Sequence, residues 1–260
     1  MTYAYNISDL KPTKSVVVKQ KLLLLIANTY NNTELELGEP ILNDCRLMTK
    51  CVCKHGYQAL MLLDANCKTA IEWLVLLSTL ELDDIIIYYS GHGTLVEDKD
   101  QVELKEMFEA MSNDIPELKH MNLHKDEPKD SSYVFYNYTT HKAELLVDDI
   151  FTQIISTFNT KPLIVSDCCH SGTIIDLPLL VNTPNHNIEF ISACCDWQYA
   201  IQSSDNGLFT KHLCKYIHYL DLDDVINTFN HGITDTISQK NDTNLIQHAI
   251  INCNRKKLWK

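Results

Sequence analysis

The stretch KPLIVSDCCHSGTIIDL, residues 161–177, joins an apolar run to a group of reactive side chains. Its first part, residues 162–165, is typical of a buried strand, and the residues that follow include an aspartate, two cysteines, a histidine and a glycine. A buried strand of a parallel sheet presents such groups at its carboxyl end, where open α/β sheets bind their ligands. We therefore expect a nucleophile in this stretch.

A second apolar run, DIIIYY at residues 84–89, ends in the same manner, in Ser90-Gly91-His92-Gly93. One strand end thus supplies thiols and the other supplies an imidazole. A cysteine nucleophile requires this pair of groups, because a histidine base can remove the thiol proton.

Apolar runs and helical patterns alternate on both sides of these two stretches. Strands are predicted at 21–27, 57–63, 84–89, 162–165, 188–194 and 247–252, with a short peripheral strand at 131–138. Helices are predicted at 39–54, 68–79, 145–158, 208–220 and 223–236. The alternation predicts an α/β fold with a mainly parallel central sheet and helices on both faces. Right-handed crossovers then bring the strand carboxyl ends to one edge, where His92 and Cys169 can meet.

The length of 260 residues favours a single domain, 21–260, preceded by an N-terminal arm, 1–20, and carrying an acidic insertion at 97–130. The net charge of −12 argues against a nucleic-acid partner or an anionic membrane surface. No run approaches the about 20 apolar residues of a membrane span, and the N-terminus has no secretory signal pattern. We therefore expect a cytoplasmic protein.

Ten cysteines are few for a disulfide scaffold of this length, and a cytoplasmic location keeps them reduced. A zinc site is suggested by four residues that lie close together in sequence, Cys45, Cys51, Cys53 and His55. Zinc sites usually show paired C-x-x-C spacings, which this group lacks. Ordinary buried thiols are the favoured interpretation here.

The chemistry of the two strand ends follows from the residue types. A free thiol is mostly protonated at neutral pH, and His92 can serve as its base, because imidazole is the usual general base near neutral pH. The amides of Gly93 and Cys169 are candidates for an oxyanion hole, since glycine allows a substrate backbone to approach closely. The alternative is structural, with Gly-His-Gly as a turn and Cys-Cys as core packing. The coincidence of both motifs at strand ends favours catalysis.

The segments YYSGHG (88–93) and DCCHSGTIIDLP (167–178) resemble the histidine and cysteine motifs of metacaspases, the caspase-like cysteine peptidases of plants, fungi and protists in family C14 of peptidase clan CD. Residues 37–48 and 191–210 are similar to the first-helix segment and to the start of the small-subunit region of that family. The resemblance covers most of residues 21–220. It implies a caspase-like fold with a large-subunit-like region, 21–180, and a small-subunit-like region, 188–260, as in a type I catalytic domain without a prodomain.

The resemblance implies that His92 is the catalytic base and Cys169 the nucleophile. It also implies a primary-specificity pocket formed by Asp44, Ser90 and Asp167. Two carboxylates at the base of such a pocket favour a Lys or Arg side chain and repel an acidic one. The sequence alone favours another interpretation of Asp44, as a solvated carboxylate on a helix surface.

Metacaspases are often activated by calcium, and the resemblance maps calcium-binding aspartates onto Asp148, Asp149 and Asp176. Calcium takes about six to eight oxygen ligands, which acids from separate loops can supply. The acidic, glycine-rich segment that the family carries between the histidine and the paired aspartates is replaced here by the 97–130 insertion.

Residues 173–195 contain neither Lys nor Arg. We therefore expect an active single chain that is not cut between the two regions, with the lysines of 97–130 as the remaining places for self-cleavage. The resemblance implies a monomer that acts on proteins or peptides with Lys or Arg at the scissile position. The alternative from another functional class is a catalytically silent caspase-like interaction module that binds a basic partner.

Overall fold

A central sheet of seven strands organises the chain, of which the computed structural model describes residues 4–97, 101–121, 129–175, 188–240 and 247–260. The strands are, in chain order, β1 (Tyr5–Asn6), β2 (Lys21–Ala27), β3 (Gln58–Leu63), β4 (Asp84–Ser90), β5 (Gly93–Glu97), β6 (Lys129–Asn137), β7 (Lys142–Val147), β8 (Leu163–Asp167), β9 (Glu189–Ser192) and β10 (Ile250–Asn252). The order across the central sheet is β1-β3-β2-β4-β8-β9-β10, and all neighbours run parallel except β9 and β10. The predicted mainly parallel sheet is confirmed.

Helices cover both faces of this sheet. They are α1 (Glu39–Val52), α2 (Cys67–Ser78), α3 (Gln101–Ser112), α4 (Asp148–Ser156), α5 (Leu208–Tyr216) and α6 (Leu222–Lys240). Short 3-10 helices lie at Lys14–Val16, Cys53–His55 and Pro116–His120. No helix within the described ranges is long and apolar enough to cross a membrane.

Strand β2 shows why the central strands are apolar throughout. Leu22, Leu24 and Ile26 pack into one hydrophobic cluster with residues of α2 and α4. Leu23 and Leu25 alternate with them and pack into a second cluster with residues of α1, α5 and α6. Since successive side chains of a strand point to opposite faces, a sheet covered on both faces needs apolar residues at every position.

The predicted peripheral strand at 131–138 is β6, which lies between β5 and β7 in a separate antiparallel sheet. The predicted helix at 145–158 begins later than expected, at Asp148. Residues up to Val147 pair with β6 instead, with Val147 opposite Ser132. Tertiary pairing therefore overrides the helical pattern at the start of this segment.

The 97–130 segment contains a helix that the sequence did not predict. From α3 and the following turn, Phe108, Met111, Ile115 and Leu118 are buried in the cluster that also contains α2 and α4. An ion pair between Lys68 of α2 and Asp114 also joins this segment to α2. The described part of the insertion therefore packs against the domain, with Glu109 on its exposed side.

The register of β4 and β8 positions the two sequence motifs side by side. Ser90, the last residue of β4, is the partner of Asp167, the last residue of β8. The loops that follow these residues carry His92 and Cys169. The two strand ends therefore meet at one edge of the sheet, as expected for parallel strands joined by right-handed crossovers.

Candidate active site

A cavity of about 130 Å³ opens at this edge of the sheet. His92 and Cys169, which were predicted from separate motifs, both line it, and so do Asp44, Ser90 and Asp167. The remaining lining residues are Leu37, Ile41, Gly91, Cys168, Ala200, Ile201, Gln202 and Gly207. The structure therefore brings the predicted catalytic pair and the predicted specificity residues to one cavity.

The backbone of His92 is held by two tyrosines and by β6. Its amide donates to the Tyr30 hydroxyl at 2.9 Å. Its carbonyl accepts from the Tyr89 hydroxyl at 2.7 Å and from the Val134 amide at 3.1 Å. Tyr30 in turn donates to the Val134 carbonyl at 2.7 Å, so the His92 loop and β6 are joined through its hydroxyl.

The imidazole of His92 has its Nε2 atom 2.8 Å from the carbonyl oxygen of Leu35. A carbonyl oxygen can only accept a hydrogen bond, so Nε2 carries the hydrogen. In the neutral ring the Nδ1 atom then keeps its lone pair. The Leu35 carbonyl therefore selects the tautomer in which Nδ1 can act as a base.

Two glycines allow the loops of the cavity to approach closely. A β-carbon at Gly91 would lie 2.9 Å from the hydroxyl oxygens of both Tyr30 and Tyr89. A β-carbon at Gly93 would lie 1.9 Å from the carbonyl oxygen of Cys169. A side chain at position 93 would therefore force the two loops apart. The two predicted oxyanion-hole residues, Gly93 and Cys169, are neighbours in space.

The thiol of Cys169 is half-buried, and its sulfur accepts a hydrogen bond from the Ala200 amide at 3.3 Å. Burial raises the pKa of this thiol, the Ala200 hydrogen bond opposes the rise, and the charge of Asp167 adds to it. The thiol therefore rests in its protonated form, and a reaction through sulfur needs a base. The adjacent Cys168 is buried in the hydrophobic core.

Asp44 and Asp167 are both buried, with exposed fractions of 1% and 6%. The carboxylate of Asp44 accepts from the Gly207 amide and from the Asn206 side-chain amide, each at 2.9 Å. The interpretation of Asp44 as a solvated helix-surface residue is therefore wrong. Asp167 accepts from Thr210, from the amide at 3.1 Å and from the hydroxyl at 2.6 Å.

Burial makes both carboxyl groups harder to ionise. It raises the pKa of Asp44 to about 7, with a further contribution from the nearby charge of Asp167. Burial raises the pKa of Asp167 to about 6, against the opposing effect of the Thr210 hydrogen bonds. A β-carbon at Gly207 would lie 2.5 Å from one Asp167 oxygen and 2.9 Å from one Asp44 oxygen. The two acids therefore converge on a position that is free of side chain, where a cation would stabilise both charges.

Two of the predicted calcium ligands, Asp148 and Asp149, do not line this cavity. Asp148 and Asp149 are buried at the start of α4, whereas Asp176 lies outside the described residues. The Asp148 carboxylate accepts from the amides of Ser131 at 2.8 Å and Asp149 at 2.9 Å. Burial raises its pKa to about 8, with a contribution from neighbouring Asp130. The described parts of the chain contain no group of three or more His, Cys, Asp or Glu residues arranged to hold a metal ion.

Several contributors to the site could not be recognised in the sequence. Tyr30 contacts the site through its hydroxyl, and Leu35 and Ala200 contact it through backbone groups. No sequence motif marks these three residues. Asn206-Gly207 carries a turn signal directly before a helix, which marks a loop but no chemistry. Only tertiary contact reveals what these residues hold in place.

An α/β domain whose adjacent parallel strands bring an imidazole and a thiol to one cavity has the architecture of a caspase-like cysteine peptidase. Residues 20–258 match the family model of the caspase domain. The chain belongs to this peptidase family.

The curated relatives are metacaspases. The chain is 26% identical over 181 residues to Metacaspase-1 of Candida albicans, a match covering 63% of the chain and 36% of that protein. It is equally similar to Metacaspase-1 of Lodderomyces elongisporus, at 26% identity with the same coverage. The chain thus spans about a third of the length of these relatives.

A solved structure has the same fold. The crystal structure of protein GSU0716 from Geobacter sulfurreducens superposes with a TM-score of 0.59 at 16% identity, covering 89% of this chain and 92% of that one. This similarity concerns the fold of the chain.

Proposed function

We propose that the chain is a cysteine endopeptidase that hydrolyses peptide bonds after Lys or Arg, with Cys169 as nucleophile and His92 as base. The observation that carries the proposal is that both residues and two converging carboxyl groups line a single cavity. Membership of the caspase-domain peptidase family supports the reaction class.

The substrate side chain enters between Asp44 and Asp167, which places the peptide carbonyl beside the thiol. His92 Nδ1 removes the proton from Cys169, and the sulfur attacks the carbonyl carbon. The amides of Gly93 and Cys169 stabilise the oxyanion. The C–N bond then breaks as His92 gives its proton to the leaving amine.

Water completes the reaction. His92, now neutral, takes a proton from the water molecule that attacks the thioester carbon. The tetrahedral intermediate collapses to the free acid, and the proton returns to the departing sulfur. The Leu35 carbonyl keeps the Nε2 hydrogen in place throughout, so Nδ1 is the atom that receives and returns protons in each half of the reaction.

Specificity for a basic residue is supported by the electrostatics of the cavity. The pKa values of Asp44, about 7, and Asp167, about 6, show that the two buried carboxyls ionise with difficulty in the absence of a cation. A bound guanidinium or ammonium group stabilises the ionised forms. A substrate aspartate would instead add a third buried carboxylate, so we expect it to be excluded.

Fluorogenic peptides with Arg, Lys or Asp at the scissile position test this function. We expect turnover of the Arg and Lys peptides, and its loss in Cys169→Ala and His92→Ala. Cys253→Ser, a change at a half-buried cysteine that does not line the cavity, serves as the matched control and should retain activity. Turnover that survives Cys169→Ala, or a preference for the Asp peptide, would contradict the proposal.

Calcium enters the proposal as an activator bound by Asp148, Asp149 and Asp176. The buried, closely spaced acids at the start of α4 support it, because a divalent cation would stabilise charges that burial disfavours. When bound, calcium would supply positive charge there. Calorimetric titration with calcium should show binding that is lost in Asp149→Asn and kept in Asp205→Asn, an exposed acid elsewhere. Equal binding by both variants would contradict the assignment.

We also propose that the chain acts uncut, as a monomer in the cytoplasm. The absence of Lys and Arg from residues 173–195 supports an uncut chain, and ten unpaired cysteines support a reducing compartment. Size-exclusion chromatography with light scattering on active protein should give one uncleaved chain per particle. A dimer, or a product cut between the two regions, would contradict this part of the proposal.

The silent interaction module is the alternative, because two carboxyls in one cavity also suit a basic partner. Retention of both His92 and Cys169 at the cavity favours the enzyme. A correctly folded chain that binds arginyl peptides without cleaving them would establish the alternative.

A further inference from the structure

Two cysteines meet in the interface between α1 and α5, outside the catalytic cavity. Cys51 lies in the last turns of α1, and Cys214 lies in α5. The Cys214 thiol donates to the sulfur of Met48 at 3.5 Å, and Met48 lies one turn before Cys51 on α1. The Cys51 sulfur in turn contacts His218, four residues after Cys214, so the two cysteines face each other across the interface.

Basic groups surround Cys51 on its solvent side. The Nε2 atom of His218 lies 3.7 Å from the Cys51 sulfur, and the ammonium nitrogen of Lys54 lies 3.0 Å from the same Nε2 atom. An ammonium group can only donate, so His218 Nε2 accepts and carries no hydrogen in this arrangement. Lys54 therefore places a positive charge close to the thiol pair.

These surroundings distinguish Cys51 from every other cysteine of the chain, all ten of which lie within the described residues. The neighbouring Cys214 thiol and the charge of Lys54 lower the pKa of Cys51 despite its burial. Burial raises the pKa of Cys45, in the same helix, and of Cys67. The pKa of Cys214 is raised well above its ordinary value, first through its interaction with Cys51. Lys54 and His218 lie beside Cys51, so the surroundings favour Cys51 as the thiolate of the pair.

We propose that Cys51 and Cys214 form a peroxide-reactive dithiol that closes to a disulfide between α1 and α5. The Cys51 thiolate attacks one oxygen of hydrogen peroxide, the O–O bond breaks, and Cys51 becomes a sulfenic acid while hydroxide takes up a proton. The Cys214 sulfur then attacks the Cys51 sulfur, and the S–O bond breaks with release of the second water molecule. Two thiols and one peroxide give one disulfide and two waters, so atoms and electrons balance.

A small oxidant can reach this pair. Cys51 is only 3% exposed, but Cys214 and His218 are half-buried and Lys54 is exposed, so the pair lies directly beneath the surface. Hydrogen peroxide is close to water in size. A large thiol reagent should react much more slowly than peroxide with the folded protein.

A metal ion is a weaker explanation of the same cluster. Cys51 and His55 belong to the group of residues whose spacing suggested a zinc site, and Cys214 of α5 and His218 beyond its end repeat that spacing. His55 instead stacks on Trp259, with ring centroids 3.7 Å apart. Within the described residues no three such groups are arranged to hold a metal. The structure instead places two reduced cysteines opposite each other across the interface of α1 and α5.

The disulfide would tie together the two helices that flank the cavity. Asp44 lies about two turns along α1 from Cys51, and Thr210, which holds Asp167, lies about one turn along α5 from Cys214. A crosslink between residues so far apart in sequence also removes much of the freedom of the unfolded chain. Oxidation should therefore raise the thermal stability of the protein.

Peroxide treatment of the full chain carrying Cys169→Ala tests the proposal, because the proposed nucleophile is then absent and no activity is needed. A chelator is present throughout. We expect an intact mass lower by two hydrogens, a linked peptide pair containing Cys51 and Cys214, and a Tm higher by about 3 °C or more. Dithiothreitol should reverse all three changes.

Adding Cys51→Ser or Cys214→Ser should abolish the crosslink, whereas adding Cys253→Ser should leave it intact. Adding Lys54→Met should slow its formation several-fold, because the positive charge is removed. The proposal is overturned if peroxide leaves Cys51 and Cys214 unlinked while other cysteines oxidise, or if it links chains to one another. Failure of peptidase activity would not affect these readouts, so the two proposals fail separately.

Discussion

Burial of the Asp148 carboxyl group makes the stability of the folded chain depend on pH. Its pKa in the folded protein is about 8, against 3.8 for an exposed aspartate. Between these values the folded chain holds a proton that the unfolded chain has released, so ionisation of Asp148 lowers stability as pH rises through this window. Asp44 and Asp167 also have raised pKa values, about 7 and about 6, so their ionisation likewise lowers stability as pH rises.

The substitution Asp148→Asn should therefore stabilise the calcium-free protein, with the largest gain in stability at high pH. Asparagine resembles the protonated acid, so the Tm of the variant relative to the parent should rise as pH increases from about 5 to 9. Thermal melts at a series of pH values measure this difference. A difference that stays constant, or that shifts in favour of the parent, would show that burial does not hold the proton on Asp148.

The proposed recognition of a basic substrate assigns a direct contact to the carboxylate of Asp44. We expect Asp44→Asn to reduce kcat/KM for an arginyl peptide roughly 10- to 100-fold, because a charge-assisted contact of about 1.5–3 kcal/mol is lost. The exposed neighbour of the pocket loop, Asp205, provides the matched control Asp205→Asn, which should change little. Equal effects of the two substitutions would point to long-range charge rather than a contact in the pocket.

Tyr30 is a positioning residue, since it acts through the backbone of His92. In Tyr30→Phe the His92 amide loses its acceptor and the Val134 carbonyl loses a donor. We expect kcat for the arginyl peptide to fall about tenfold with KM nearly unchanged, because the substrate pocket is intact while the base is less well placed. Steady-state kinetics separate the two constants, and Tyr138→Phe, at an exposed tyrosine, is the control. A change confined to KM would contradict the role.

At the scale of elements, the C-terminal segment closes the edge of the sheet opposite the cavity. The Arg255 guanidinium, 5% exposed, donates at 2.9 Å to Asp84 at the start of β4 and at 2.5 Å to Glu189 at the start of β9. Tyr57 also donates to Asp84. The first residues of β4 and β9, the two strands that flank β8, are thus joined through one buried cation near the end of the chain.

Removing that cation should be costly. Arg255→Met leaves Asp84 and Glu189 buried without their main partner, and we expect a loss of about 3–5 kcal/mol in the free energy of unfolding. Lys256→Met, at the exposed neighbouring position, should cost less than about 1 kcal/mol. Urea denaturation of the two variants measures both values. Similar losses would mean that the ion pairs contribute no more than surface charges do.

The elements also show what the sequence could and could not predict. Strands β2, β4 and β8 were located to within a residue or two, because a strand buried on both faces must be continuously apolar. Helix α3 was missed because its few buried side chains, such as Phe108 and Met111, are spread through an acidic segment. Strand β7 was assigned in part to a helix because its pairing with β6 is a tertiary contact.

For the whole molecule, two separate hydrophobic clusters on the faces of one sheet leave its carboxyl edge open for chemistry. The motif residues His92 and Cys169 could be predicted to meet there because the direction of parallel strands fixes where their ends lie. The residues that form hydrogen bonds with the site residues could not be predicted from the sequence. Leu35, Ala200 and Thr210 form hydrogen bonds with His92, Cys169 and Asp167 in turn, and only the folded chain brings these partners together.

Covalent labelling tests most directly that Cys169 reacts with substrates through a pocket for basic residues. The parent protein is treated with a peptidyl acyloxymethyl ketone carrying arginine at the scissile position and, separately, with its aspartyl counterpart, and the modified residue is located by peptide mapping. We predict one label per chain on Cys169, formed much faster with the arginyl compound and lost in His92→Ala. A label on another cysteine, or faster labelling by the aspartyl compound, would contradict the proposed function.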